Sequence, residues 1–268
     1  MYDYPHTRTA NTLLWSLIRE QLGYGPTELT HDADPWDIWQ SPDLVFSQTC
    51  GLPFRAGLHD KVQLIGTPDY GLIDCPAGHY NSVIVVSSAS TIGELKSLTG
   101  QSMAYNDGLS QSGWAAPQAH LRQANIPFET GPCTGSHKSS AQAVVSGDAD
   151  FAAIDALTWE MLCVHIPKVT SKLRVLTKTV PTPALPYITS MSQDAAVIAN
   201  AVDNAMKFLP AKARETLHLK GLVRLAPSAY LTCHCQRHPN CFRRVTFLFE
   251  GFHAQRCVCK LRILGFSA

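Results

Sequence analysis

The sequence predicts an α/β fold, because short apolar strands alternate with amphipathic helices up to about residue 230. Polar and glycine-rich clusters directly follow several strands, as expected where strands run into helices at one edge of a sheet. With 268 residues, 45% of them apolar, the chain can form one large domain or two lobes. Its net charge of +1 gives no bias toward nucleic acid or acidic membranes. We expect mainly parallel strand pairing.

The individual elements follow from local spacing. A helix over 12–22 carries apolar residues on one face and ends at Gly23. The remaining predicted elements are, in order, strands at 44–46, 62–65 and 82–86, a helical turn at 92–98, a strand at 103–105, a helix at 113–124, a strand near Phe128, a helix at 139–145, strands at 151–154 and 173–176, and helices at 193–208 and 211–217.

One loop carries the strongest functional signal. The strand at 103–105 runs through Asn106 into Ser110-Gln-Ser-Gly113, which opens the next helix. We call Ser110–Gly113 the serine turn. Free backbone N–H groups and the positive end of the helix dipole favour an anion at such a position, and Gly113 permits close approach to the backbone. The turn therefore predicts either an oxyanion site or an ordinary serine helix cap.

Three further polar clusters lie at predicted junctions between strands and helices. Ser47–Gly51 follows the strand at 44–46, and Asp155 follows the strand at 151–154. Thr134–Ser140 opens the helix at 139–145, with Ser136 as its candidate N-cap. Because ligands of open α/β sheets collect at the carboxyl ends of strands, we expect these clusters to share one site.

Six segments, in this order, resemble the phosphate/phosphonate-type solute-binding proteins of ABC transporters over residues 1 to about 230. They are Met1–Asp3, Ser47–Pro53, Ala104–Gly113, Gly135–His137, Gly147–Asp155 and Pro183–Tyr187. The resemblance implies a type 2 periplasmic-binding fold, in which two α/β lobes joined by two crossing strands close on a ligand. Residues 1–84 plus 182–232 would form the first lobe and residues 85–181 the second.

The resemblance also implies a set of ligand-binding residues. They are Tyr2, Gln48, Thr49, Tyr105, Asn106, Ser110, Gln111, Ser112, Gly113, His137 and Asp155. The serine turn would hold the anionic group and His137 would donate to it, with affinity falling as pH rises through the imidazole range. Asp155 would face the amine of an aminoalkylphosphonate or, alternatively, serve only as a helix cap. Gln111 departs from the Ser-Thr-Ser-Gly of better-known phosphonate binders.

The implied function is non-enzymatic capture of a small anionic ligand, passed to an ABC permease if the protein is exported. We expect no cofactor, no nucleic-acid partner and no membrane span. Two alternatives remain. One is an enzyme on the same fold acting in thiamine-pyrimidine metabolism, which would need a catalytic group such as Cys50 or a histidine. The other is a cytoplasmic ligand-sensing module.

The first and the last residues of the sequence depart from the family pattern. The first residues lack a basic and apolar signal segment, so the chain as written predicts a cytoplasmic protein, whereas the resemblance implies the periplasm. Residues 233–268 form an atypical tail rich in cysteine and arginine. We interpret this tail as non-native or frameshifted sequence. A zinc site using Cys233, Cys235, Cys257 and Cys259 is a weaker alternative, because its Cys-x-Cys spacing is unusual.

Overall fold

Two sheets and one short pair of strands organise residues 2–232, which are the residues that this computed structural model describes. The tail at 233–268, with its candidate cysteines, lies outside them. The strands are β1 Ser47–Gln48, β2 Val62–Asp69, β3 His79–Tyr80, β4 Ser82–Ser87, β5 Ser102–Tyr105, β6 Glu129–Cys133, β7 Phe151–Asp155, β8 Leu173–Lys178, β9 Thr182–Pro183, β10 Tyr187–Ser190 and β11 Gly221–Val223. The predicted α/β class is confirmed.

Helices flank both sheets. They are α1 Arg8–Leu22, α2 Pro35–Trp39, α3 Gly51–Pro53, α4 Ala116–Gln123, α5 His137–Ser146, α6 Ala156–His165, α7 Pro167–Thr170, α8 Ala195–Phe208, α9 Ala211–Thr216 and α10 Pro227–Leu231. Two π-helical turns, Phe54–Leu58 and Gln111–Ala115, continue α3 and precede α4 respectively, and Leu95–Leu98 is a 3₁₀ turn. No helix of residues 2–232 is long and apolar enough to cross a membrane.

The first sheet has the strand order β1-β10-β2-β11, and the second has the order β6-β5-β7-β4-β8. Between them, β3 pairs with β9. The first sheet therefore draws on two distant parts of the chain, while the second is built from the middle. We retain the lobe boundaries 1–84 plus 182–232 and 85–181 as a proposal, with β4 spanning the first boundary.

The prediction of mainly parallel strand pairing is wrong. Only the β5–β6 and β5–β7 ladders are parallel among the described strands, and the other ladders are antiparallel. In the second sheet this results from a single reversed strand, because β4 lies between β7 and β8 and opposes both. Strands β10 and β11 belong to the chain that returns to the first sheet, and there they oppose β2.

The predicted strand at 44–46 is also wrong, because pairing begins at Ser47. Phe46 instead packs against the rings of Trp15 and Tyr187, with centroids 5.9 and 4.7 Å away. Leu44 is buried, and its carbonyl oxygen accepts from Ser190 N. Leu44 is thus buried and Phe46 partly buried by tertiary packing, without a strand ladder of their own.

The strands that lead into the site are buried in the core. Ile84, Val85 and Val86 of β4 are completely buried, as is the segment Phe151–Ile154 of β7. Helix α1 packs on α8 over the first sheet, and α1 ends at Gly23, whose φ of 74° places it in the left-handed region that favours glycine. Loops at the strand ends are therefore anchored to two close-packed layers.

Candidate functional site

The serine turn opens a helix, as predicted. Ser110 is the N-cap, and its Oγ accepts a hydrogen bond from Gly113 N at 3.0 Å. Residues 111–115 form a π-helical turn that continues into α4, so the first N–H groups of this long helical segment lie at the turn. Ser110, Gln111 and Ser112 are all buried. The structure therefore places two hydroxyls and a helix start together in a site shielded from solvent.

Gly113 is required by the close approach of two side chains. A Cβ atom at this position would lie 1.8 Å from Asn106 Oδ1 and 3.2 Å from His137 Cε1. The Asn106 Oδ1 atom is itself buried, with no hydrogen-bond partner among residues 2–232. Asn106 and His137 therefore converge on the serine turn, as predicted from the resemblance.

His137 is the first residue of α5, and the cap of that helix is Ser136, whose Oγ accepts from Ser139 N. The His137 Nε2 atom lies 3.0 Å from Ser112 Oγ. Burial lowers the pKa of His137 to about 4, opposed by a smaller effect of the Ala153 backbone. The imidazole is therefore neutral near pH 7, and the predicted pH dependence of binding moves below the ordinary histidine range. A neutral imidazole can still act as a hydrogen-bond donor.

Asp155 serves as a helix cap and also faces the site. Its Oδ1 accepts from Thr158 N at 2.7 Å and caps α6, while its Oδ2 accepts from the Tyr2 hydroxyl at 2.8 Å. Burial raises the pKa of Asp155 to about 6, and these hydrogen bonds oppose the rise. Ser82 faces Asp155 across the sheet, and its hydroxyl donates to the Ser112 carbonyl. The two roles weighed for Asp155 are thus compatible.

The segment after β1 contributes polar groups from the first sheet. Gln48 Nε2 donates to the Tyr70 hydroxyl at 2.8 Å and to the Leu185 carbonyl at 3.1 Å. Thr49 is fully buried, and its hydroxyl has no partner among residues 2–232. Tyr2 lies in a segment without strand structure that precedes α1.

Tyr105 has a different environment from the other predicted residues. Its ring packs against Trp114 at a centroid distance of 4.6 Å, within the apolar core on that side of the second sheet. Its carbonyl oxygen accepts from Thr134 N and from the Thr134 hydroxyl. The structure therefore places Tyr105 as a support for the loop that carries Asn106.

The sequence analysis missed a group of buried tyrosines and one arginine. They are Tyr70, Tyr80, Tyr187 and Arg55. Burial raises the pKa of Tyr70 and of Tyr80 well above its usual value, and the charge of Asp155 adds to the rise, so both phenols stay protonated. Tyr70 directly follows β2, and the rule that ligands collect at strand ends could have identified it. Arg55 carried no local signal.

Cys50 follows β1 and contacts the serine turn of the second sheet. It is buried, and its Sγ accepts from Gln111 N at 3.3 Å. Burial raises the pKa of the thiol, so it stays protonated and lacks the thiolate character that a nucleophile needs. Within residues 2–232 no group of three or more metal-binding side chains is close enough to hold an ion.

A cavity of about 570 Å³ adjoins the site on the side of the first sheet. Its walls include Tyr2, Gln48, Tyr70 and Tyr187, and of these Tyr2 donates a hydrogen bond to Asp155. The far end of the cavity is formed by α1 and the loop before β1, where Asp3 Oδ2 contacts His31 Nδ1 at 2.7 Å. Tyr2 therefore links this cavity to Asp155, but Asp155 and the serine turn do not themselves line the cavity.

Two α/β sheets joined by a short strand pair, with an anion-suited turn at their contact, define a solute-binding protein of the type 2 periplasmic-binding fold. Residues 49–230 match the family model for the periplasmic substrate-binding protein of phosphonate ABC transporters. The chain belongs to this family. The predicted family and fold are confirmed, and the family is periplasmic and takes a small ligand. No curated protein matches the chain.

Solved structures show the same fold at low sequence identity. PhnD1 from Prochlorococcus marinus, in complex with methylphosphonate, is 18% identical with a TM-score of 0.66, covering 89% of this chain and 92% of that one. A binding protein component of an ABC phosphonate transporter from Pseudomonas aeruginosa is 16% identical with a TM-score of 0.61, covering 83% and 79%. XAC2383 from Xanthomonas citri, bound to ATP, is 18% identical with a TM-score of 0.62, covering 85% and 90%.

Proposed function

We propose that this protein captures a small molecule bearing a phosphate, phosphonate or similar oxyanion and passes it to an ABC permease. One observation carries the proposal: the hydroxyls of Ser110 and Ser112 and the imidazole of His137 meet at a buried helix start. Such a start offers backbone N–H groups and the positive end of a helix dipole to an anion. The ligand binds there by its oxyanion, and the protein acts in the periplasm, where its family does.

The organic part of the ligand lies toward Asp155 and Tyr2. Asp155 accepts a hydrogen bond from the hydroxyl of Tyr2, and Tyr2 in turn lines the cavity on the side of the first sheet. The adjoining cavity has space for a substituent larger than a methyl group. A member of the phosphonate-binding family with such space is suited to organic phosphonates or phosphate monoesters.

We infer that the protein works by binding and not by catalysis. The cysteine that an enzymatic mechanism would use is a protonated thiol engaged with Gln111 N. His137 contacts the Ser112 hydroxyl at the helix start. Among residues 2–232, no carboxylate in the hydrogen-bond network orients this imidazole as a catalytic triad requires. These groups are arranged as hydrogen-bond partners of an anion.

Thermal unfolding with a panel of phosphates, phosphonates and sulfate tests the function. A binding oxyanion at 100 times its dissociation constant is expected to add about 2.7 kcal/mol to the free energy of unfolding. Gly113→Ala is the matched negative control, because its Cβ would displace Asn106 from the serine turn. A panel that leaves the melting temperature of the wild-type protein unchanged would contradict the proposal, as would an equal shift in the Gly113→Ala variant.

A further inference from the structure

Gln111, the residue that departs from the family's usual threonine, reaches across to the first sheet's loops. Its Oε1 accepts a hydrogen bond from Arg55 Nη1 at 2.5 Å. Arg55 lies in the π-helical turn Phe54–Leu58 that continues α3. A threonine side chain at position 111 would be too short to make this contact. Gln111 therefore ties the guanidinium group of Arg55 to the serine turn.

Other contacts fix Arg55 and the serine turn on each other. Gln111 N donates to Cys50 Sγ, and the Gln111 side chain packs at Gly51, where an added Cβ would lie 3.7 Å from its Cγ. An apolar cluster joins the same two segments, and its buried members are Leu52, Ala56, Leu109 and Ala115. The position of Arg55 relative to the turn is thus set by packing as well as by one hydrogen bond.

Arg55 has unused binding capacity. Its Nη2 atom is buried and has no hydrogen-bond partner among residues 2–232, and none of the ion pairs in that part of the chain includes it. A partly desolvated cation without a counter-ion is unfavourable, so an anion beside it gains more than it would from a neutral donor. The serine hydroxyls and the backbone N–H groups of the turn are such neutral donors.

Building on the oxyanion-binding function proposed above, we propose that Arg55 is a charge-selecting ligand residue. Its guanidinium, held on Gln111, favours doubly ionised phosphoryl or phosphonyl groups over singly ionised diesters. Neutral donors distinguish these two classes weakly, because they carry no net charge to interact with the second negative charge. A full positive charge held beside the turn by Gln111 interacts with the second negative charge through the Coulomb attraction.

Calorimetric titration with two probes tests this role. Methyl phosphate is doubly ionised above its second pKa of about 6, whereas dimethyl phosphate keeps one charge. At mildly alkaline pH we expect Arg55→Gln to weaken methyl phosphate binding about 10- to 100-fold, the range for a hydrogen bond between charged groups, and to change dimethyl phosphate binding less than about threefold. Arg55→Lys, which keeps the charge, should restore a large part of the preference.

Lys207→Gln is the control, because it removes an equal charge from the exposed face of α8. It should leave both affinities unchanged. Equal weakening of both probes by Arg55→Gln, or no weakening of either, would overturn the charge-selecting role and leave the oxyanion site in place. Failure of the wild-type protein to bind either probe or any other oxyanion would instead overturn the proposed function.

Discussion

Replacing Ser110 and Ser112 together with alanine is expected to weaken oxyanion binding by about 3–6 kcal/mol, since each hydrogen bond to a charged group contributes about 1.5–3 kcal/mol. The two hydroxyls lie at the helix start, and Ser112 also contacts His137, so the double variant removes donors and the orientation of the imidazole at once. Titration calorimetry with the tightest oxyanion of the thermal panel measures the loss.

The double serine variant should remain folded. Ser110 caps the helix, and loss of a serine cap costs about 1 kcal/mol of stability, a small part of the total for a domain of this size. Ser146→Ala with Ser192→Ala is the matched control, because both hydroxyls are exposed and lie outside the site. Unchanged affinity in a folded Ser110→Ala/Ser112→Ala variant would show that the anion binds elsewhere.

Asp155→Asn is expected to stabilise the free protein at pH 7 by up to about 3 kcal/mol, since one pKa unit corresponds to about 1.4 kcal/mol. Burial raises the folded-state pKa of Asp155 from 3.8 to about 6. The fold therefore favours the protonated form of Asp155. The stability that this protonated acid contributes is fully present below about pH 4 and is lost as pH rises through about 6. Asparagine is uncharged and is also a good helix cap.

The stability gain should depend on pH in a defined way. Denaturant unfolding of both proteins at pH 7 and at pH 4 should show a difference that largely disappears at the lower pH, while effects of His137 cancel because both chains contain it. Asp194→Asn, the same change at the exposed cap of α8, should give no comparable gain. An Asp155→Asn variant that is less stable than the wild-type protein at pH 7 would contradict the claim that the buried carboxylate destabilises the fold.

Much of the candidate site could be predicted because its signals are local. A serine before a glycine-containing helix start, and an aspartate that ends an apolar strand, each identify a junction without knowledge of tertiary structure. The structure brings Ser112, His137 and Asn106 together as the resemblance implied. The contact of Tyr2 with Asp155 links residues 153 positions apart, and only the family pattern suggested that they share a cleft.

Other features could not be predicted because they depend on long-range geometry. Helix α6 was not predicted. It is apolar on most of its faces, so it lacks the periodicity by which a helix is recognised. The reversed direction of β4 follows from the path of the chain between the two sheets, which local spacing does not encode. Arg55 was recognised as a site residue only from its contact with Gln111, which is distant in the sequence.

A crystal structure of the wild-type protein grown with methylphosphonate would locate the bound anion. The phosphonyl oxygens are expected within hydrogen-bond distance of Ser110 and Ser112, with the methyl group toward Asp155 and Tyr2. The anion would then occupy the helix start on which Asn106 and His137 converge beside Gly113. Methylphosphonate bound away from the serine turn, with the Ser112 hydroxyl still on His137, would contradict this assignment of the site.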